Sequence, residues 1–156
     1  MHEIDNTRRG LFVGGTLGAL AVAGLATSAQ AAPLTPGEAA NLKLVQDFIA
    51  TWGAGEFDPE KVMPVYLASD GRVRIAQDQP FVVGPAAAAA AFRPFLQHGE
   101  RFKVQFLDVF ARGPLVTTHR IDTQVTPGKP DVRMEVVGFF LMKDGKIQEW
   151  SDFLVG

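Results

Sequence analysis

Arg120 and Asp122 stand two residues apart, as do Trp150 and Asp152, each pair inside a segment with the alternating pattern of a β-strand. Side chains two apart on a strand share a face, so each pair points to one side of its sheet. Two carboxylates and a guanidinium among apolar neighbours could perform acid–base chemistry. Ionised groups are costly to bury unless paired, and two adjacent carboxylates can hold a proton unequally. The plainer alternative is a solvated ion pair on an open sheet face, worth little energetically. The choice turns on whether the strands bring Arg120, Asp122 and Asp152 to one face of one sheet.

Other chemistries find less support. The chain has no cysteine, hence no thiol nucleophile, thiolate metal site or disulfide. Past residue 31 the histidines are His98 and His119, too few to suggest a histidine metal site. Gly14-Gly15-Thr16 and Gly53-Ala54-Gly55 do not form a phosphate-binding loop between a strand and a helix. Neither a metal nor a cofactor is expected. A net charge of −2 offers no basic surplus for nucleic acid.

Thr7-Arg8-Arg9-Gly10-Leu11-Phe12 is a twin-arginine start, and Leu11 to Ala26 is an uncharged run of small and apolar residues. Ala29-Gln30-Ala31 supplies a small-x-small cleavage pattern. Residues 1–31 are thus expected to be a signal read by the twin-arginine export machinery and cut before Ala32, with an uncleaved anchor as the alternative. The folded protein would then work in the periplasm or otherwise outside the cytoplasm. Residues 32–156 have the length of one ordinary domain.

The elements that must position the acidic pair run helices first, strands last. Thr35-Pro36-Gly37-Glu38 reads as a capping box opening a helix whose stripe is Leu42, Val45, Ile49 and Trp52, ending at Gly53. Asp58-Pro59-Glu60 starts a shorter helix that Pro64 should kink or interrupt. Residues 72–77 alternate as a strand, and Gly84-Pro85 introduces an alanine-rich helix to about Gln97, disturbed by Pro94. Strands are predicted over 102–110, 115–126, 132–142 and 147–155. This order indicates an α+β domain and not a parallel doubly wound sheet; a long, curved antiparallel sheet, mixed at its edge and wrapped around the N-terminal helices, would make it a cone.

Asp144-Gly145 reads as a two-residue hairpin turn. An unbroken ladder then pairs Lys143 with Lys146, Phe139 with Trp150 and Val137 with Asp152. Pairing Val125 with Val132 sets Arg120 opposite Val137, two strands from Asp152, roughly 10 Å between backbones. In this register Val137, Phe139 and Leu141 join Trp150, Asp152 and Leu154 on the inner face. Val73 and Ile75 of the early strand complete the expected substrate-binding wall. His119 points to the opposite face. Met134, Val136, Phe140, Met142 and Phe153 would make an apolar outer face, predicting a homodimer through it.

The residues resemble the limonene epoxide hydrolase family, within the cone-fold superfamily of nuclear transport factor two-like and ketosteroid isomerase-like proteins (cystatin-like in architecture). The likeness runs from Asn41-Leu42-Lys43-Leu44-Val45-Gln46-Asp47-Phe48 through Val83-Gly84 and Thr117-Thr118-His119-Arg120-Ile121-Asp122. It closes with Asp144-Gly145-Lys146-Ile147-Gln148-Glu149-Trp150-Ser151-Asp152-Phe153. Arg-x-Asp on one strand and Trp-x-Asp-Phe on the last carry most of the specificity. The resemblance implies Asp122 as general acid to the epoxide oxygen, Asp152 as general base to the attacking water, and Arg120 bridging them. No metal or covalent intermediate would be needed. The family also places a tyrosine and, two residues on, an asparagine on the early strand. Here either Val73 and Ile75 or Arg74 and Ala76 occupy those places, and Gln77 shares the face of Val73 and Ile75.

The expectation is an exported hydrolase opening a small hydrophobic epoxide to a diol. A non-catalytic carrier of a hydrophobic ligand, which needs no water-holding pair, is the alternative. An isomerase or cyclase of the same superfamily is another, disfavoured by the single tyrosine.

Overall fold

The computed structural model describes residues 33–54 and 57–155. The expected export signal, residues 1–31, lies outside the described residues.

α1 (Pro36–Gly53) opens on the predicted capping box: Thr35 Oγ1 accepts from the Glu38 N–H, and Glu38 accepts from the Thr35 N–H. Its buried face is Val45, Phe48, Ile49 and Trp52, joined at the start of the helix by Glu38. Glu38 also accepts from the Gly113 N–H, tying α1 to a distant strand turn. α2 (Pro59–Tyr66) is capped by Asp58 and contains Pro64 without breaking there. The proline lies so near the end that only two residues remain to be carried past it.

β1 (Leu67–Arg74) starts and ends earlier than its alternation predicted, because its partners set its extent. A two-residue strand, β2 (Val82–Val83), pairs with it, and α3 (Pro85–Phe92) follows. The helix tightens into a 3-10 turn over Arg93–Leu96, where Pro94 has no N–H to continue the α-helical ladder. β3 (Arg101–Arg112), β4 (Leu115–Val125), β5 (Val132–Lys143) and β6 (Lys146–Leu154) form the meander. The sheet order is β2-β1-β6-β5-β4-β3, with β1 and β6 parallel and all other neighbours antiparallel. The result is the expected α+β cone: one curled, unclosed six-stranded sheet with helices on its inner side.

The register of β5 corrects the sequence reading. Lys143 pairs with Lys146 and Met142 with Ile147, but Leu141 then pairs with Glu149, skipping Gln148. This bulge in β6 turns Phe140 to Trp150 and Gly138 to Asp152. At the other hairpin, Gln124 pairs with Val132, so Arg120 faces Val136. Each step is one residue from the unbroken ladder, and a one-residue slip exchanges the faces of a strand. Val137, Phe139 and Leu141 therefore lie outside, while Met134, Val136, Phe140 and Met142 lie inside. Only Phe153 of the expected outer set is on the outer face, where it meets Phe139 edge-on with ring centroids 5.6 Å apart.

The core sits between α1 and the inner face. Trp150 is fully buried, stacked on Phe140 and packed against Phe48 and Trp52 with centroids 5.4 Å from each. Burying such rings is the main apolar gain of the domain.

Candidate active site

β4 and β6 deliver the three ionisable side chains to one inner face. Arg120 is 0% exposed, and Asp122 and Asp152 are each 5% exposed. Arg120 Nε donates to both Asp122 oxygens at 3.0 and 3.1 Å. Its Nη2 donates to Asp152 Oδ2 at 2.5 Å, and Nη1 donates to Asp152 Oδ1 at 3.3 Å and to Thr118 Oγ1 at 2.9 Å. The planar guanidinium thus spends its donors on two carboxylates and a hydroxyl, a geometry no ammonium could reproduce. Its carbon also lies 5.3 Å from the centre of the Trp52 ring.

Asp152 accepts a further bond from Trp150 Nε1 at 2.8 Å. The two-residue strand spacing that put these side chains on one face also lets the indole orient the carboxylate. Beneath the cluster lies Gly138. A Cβ there would stand 2.7 Å from Asp152 Oδ1 and 2.8 Å from Thr118 Oγ1, and closer still to Arg120 Nη1. The ion cluster occupies the space a side chain on β5 would need.

Burial pushes the Asp122 carboxyl above its ordinary value, and the Asp152 charge adds to the push while Arg120 opposes it. For Arg120, burial works to lower its pKa, but the two carboxylates outweigh it and hold the guanidinium protonated. A carboxyl that holds its proton more tightly than usual, beside one that accepts three hydrogen bonds, is an arrangement from which an acid and a base can be drawn within one cavity.

Both carboxylates line a small cavity of about 100 Å³. Its walls are apolar: Trp52 from α1, Phe92 and Phe95 from the end of α3 and the 3-10 turn, Met134 and Val136 from β5. Of the residues expected to bind substrate, Ile75 and Leu154 line this cavity. Val73 lines an adjoining one, and Trp150 lies in the core as a hydrogen-bond donor to Asp152. Val137, Phe139 and Leu141 face away. Gln77 accepts from the Leu154 N–H at the end of β6. His119 pairs with Glu135 at 2.7 Å on the outer face.

Trp52 escaped the sequence reading, where its helical spacing marked it only as core. It lines the cavity, and its buried Nε1 has no hydrogen-bond partner. Met134 and Val136 were missed for a different reason, the register of β5. Among the described residues no cluster of His, Cys, Asp and Glu could hold a metal ion.

A curled sheet closed over by helices, with ionisable groups at its inner end, is the nuclear transport factor two-like architecture. The chain belongs to the SnoaL-like domain family, whose profile matches residues 45–150. Among solved structures, an LEH-like epoxide hydrolase from M. tuberculosis is 22% identical, with a TM-score of 0.65 over 77% of this chain and 86% of that one. A protein described as a SnoaL-like polyketide cyclase from Jannaschia sp. CCS1 is 25% identical, with a TM-score of 0.65 over 79% and 90%. One described as a ketosteroid isomerase from Kribbella flavida DSM 17836 is 17% identical, with a TM-score of 0.58 over 76% and 80%. No curated protein matches the sequence.

Proposed function

We propose that the protein is an exported epoxide hydrolase-like enzyme that opens a small hydrophobic epoxide to a diol in one step. Asp122 donates its proton to the epoxide oxygen as the C–O bond breaks. Asp152 takes a proton from the water whose oxygen bonds to the ring carbon. Solvent then returns the proton from Asp152 to Asp122. Arg120 holds both carboxylates in place and remains charged throughout. The reading is carried by the buried Asp122–Arg120–Asp152 array on the wall of an apolar cavity, with burial raising the Asp122 pKa above its ordinary value. The likeness to an epoxide hydrolase of the same fold is consistent with it.

Turnover of a panel of small epoxides by residues 32–156 tests this directly. Asp122→Asn removes the transferable proton and Asp152→Asn removes the base, and each should abolish turnover while leaving the fold intact. Because acid and base act in one concerted step, either loss alone should cost nearly all the activity. Unchanged rates in both variants would sink the mechanism.

A second reading, a carrier of hydrophobic ligands, has its own support. Asp152 already accepts from Arg120 and Trp150, and where the family's water-holding pair would stand, at the end of β1 and just past it, the chain has either Val73 and Ile75 or Arg74 and Ala76, neither set holding a tyrosine or an asparagine. Tight binding of a hydrophobic ligand without turnover of any epoxide would favour it. For export, the expected result is loss of the protein from the periplasm when Arg8 and Arg9 are both changed to Lys.

A further inference from the structure

The cavity holding the carboxylates is about 100 Å³, well below the roughly 300–1,000 Å³ usual for ligand pockets. It has room for a reacting group and few further atoms. Beside it lies a second cavity of about 420 Å³. Ile75, Ala76 and Phe95 line both, so the two spaces meet across these three side chains. Phe95 is 38% exposed there, a large apolar ring presented at the junction.

Of the alanine run of α3, Ala91 reaches this second space. Ala88 and Ala89 are buried against the fold, and the half-buried Ala91 borders the groove, where a longer side chain would fill it. Opposite stand Val73 of β1 and Val82 of β2, and the mouth is framed by Gln79 and Pro80 of the connecting loop. Among the described residues no charged side chain lines the groove, and Gln79 is the one polar side chain on it. Such a wall offers no partner for a carboxylate or a phosphate, whereas a neutral hydrocarbon gains by leaving water.

We propose that this groove is a subsite for the apolar tail of the substrate. The natural substrate class is then a neutral, elongated hydrophobic molecule with its reactive oxygen near one end. That end enters between Asp122 and Asp152, and the remainder passes Ile75, Ala76 and Phe95 to lie along Ala91 and Val82. The substrate class rests on the hydrolase reading; the subsite for a hydrophobic tail does not.

Two homologous series test it on the wild-type domain. The first is 1,2-epoxybutane to 1,2-epoxydecane, read as kcat/KM. The second is the inert primary amides butanamide to decanamide, read as Kd from tryptophan fluorescence. Complete burial of a methylene is worth about fourfold, so a groove open on one side should yield roughly twofold per methylene, or about 60-fold over six. Ala91→Phe should bring the long-to-short ratio close to one in both series. Gln79→Glu, on the exposed loop, should shrink the same ratio by placing a carboxylate beside the chain, and it keeps the test open if Ala91→Phe does not fold. A steep amide series flattened by either variant supports the groove even if no epoxide is turned over, an outcome that would overturn the hydrolase reading alone. A flat amide series in the wild type, or a steep one unaltered in both variants, overturns the groove.

Discussion

Gly138→Ala should damage the protein through a single methyl group. Glycine inside a strand normally weakens it, so alanine at an unobstructed site would be neutral or stabilising by roughly 0.5–1 kcal/mol. Gly138 does not have a positive φ, so the backbone itself accepts alanine. The obstruction is the ion cluster: the new Cβ would lie 2.7 Å from Asp152 Oδ1 and 2.8 Å from Thr118 Oγ1. Carbon contacts are comfortable near 3.5 Å, so the overlap is about 0.8 Å on the first and about 0.7 Å on the second. Arg120 cannot retreat easily, being 0% exposed and lying over Trp52. Overpacking a closed site of this kind costs about 1–3 kcal/mol, and the number of atoms struck argues for the upper half. With a urea dependence of about 1–3 kcal/mol per molar, the midpoint should fall by roughly 1 M. Displacing the carboxylates by most of an ångström should lower kcat about 100-fold if they are catalytic. Gly37→Ala is the control, since nothing lies within 4 Å of a Cβ there. Urea unfolding of both variants is the assay. A Gly138→Ala protein as stable as the wild type would refute the packing argument, whatever its activity.

Trp150→Phe keeps most of the ring but removes the donor to Asp152 Oδ1. A hydrogen bond to a charged group is worth about 1.5–3 kcal/mol, so kcat should fall at least tenfold with KM little changed; wild-type kcat would show that Arg120 alone orients the base. The raised pKa of Asp122 sets a pH dependence. The carboxyl binds its proton more tightly folded than unfolded, so its contribution to stability is complete below the ordinary aspartate value and is lost as pH rises through the raised one. Wild type should thus lose stability relative to Asp122→Asn across that window in urea unfolding, and parallel curves would contradict the shift. Turnover should fall over the same rise, because the acid is then spent. On the outer face, Phe110, Phe139 and Leu141 are 51%, 40% and 42% exposed. We expect two copies to pair there and Phe139→Glu to yield a monomer by light scattering; a wild-type monomer at high concentration would count against it.

Local chemistry was enough to read much of this chain. The capping box at Thr35 and Glu38, the proline in the first turn of α1 and the Asp144-Gly145 turn act within a few residues, so their signals survive without tertiary context. Period-two alternation likewise put Arg120 beside Asp122 and Trp150 beside Asp152. The order of helices before strands pointed to an α+β domain because amphipathic elements in that order have few ways to bury their apolar faces, and the cone followed from the family resemblance.

What the sequence could not determine was which strand residues lie between those pairs. The bulge at Gln148 and the one-residue offset at the Gln124–Val132 pairing each turn β5 over relative to a neighbour. Their effects cancel between β4 and β6, which is why Arg120 and Asp152 still meet although the wall predicted between them was the wrong face of β5. The choice is made by bulk. Gly138 leaves room for the guanidinium and Phe140 stacks on Trp150, whereas Val137 and Phe139 in those places would fill the space the charges need. Pattern assigns residues to a face only relative to their own strand. Which face looks inward is settled by the volume that α1 and the buried charges leave, a property of the packed tertiary structure and not of any one segment.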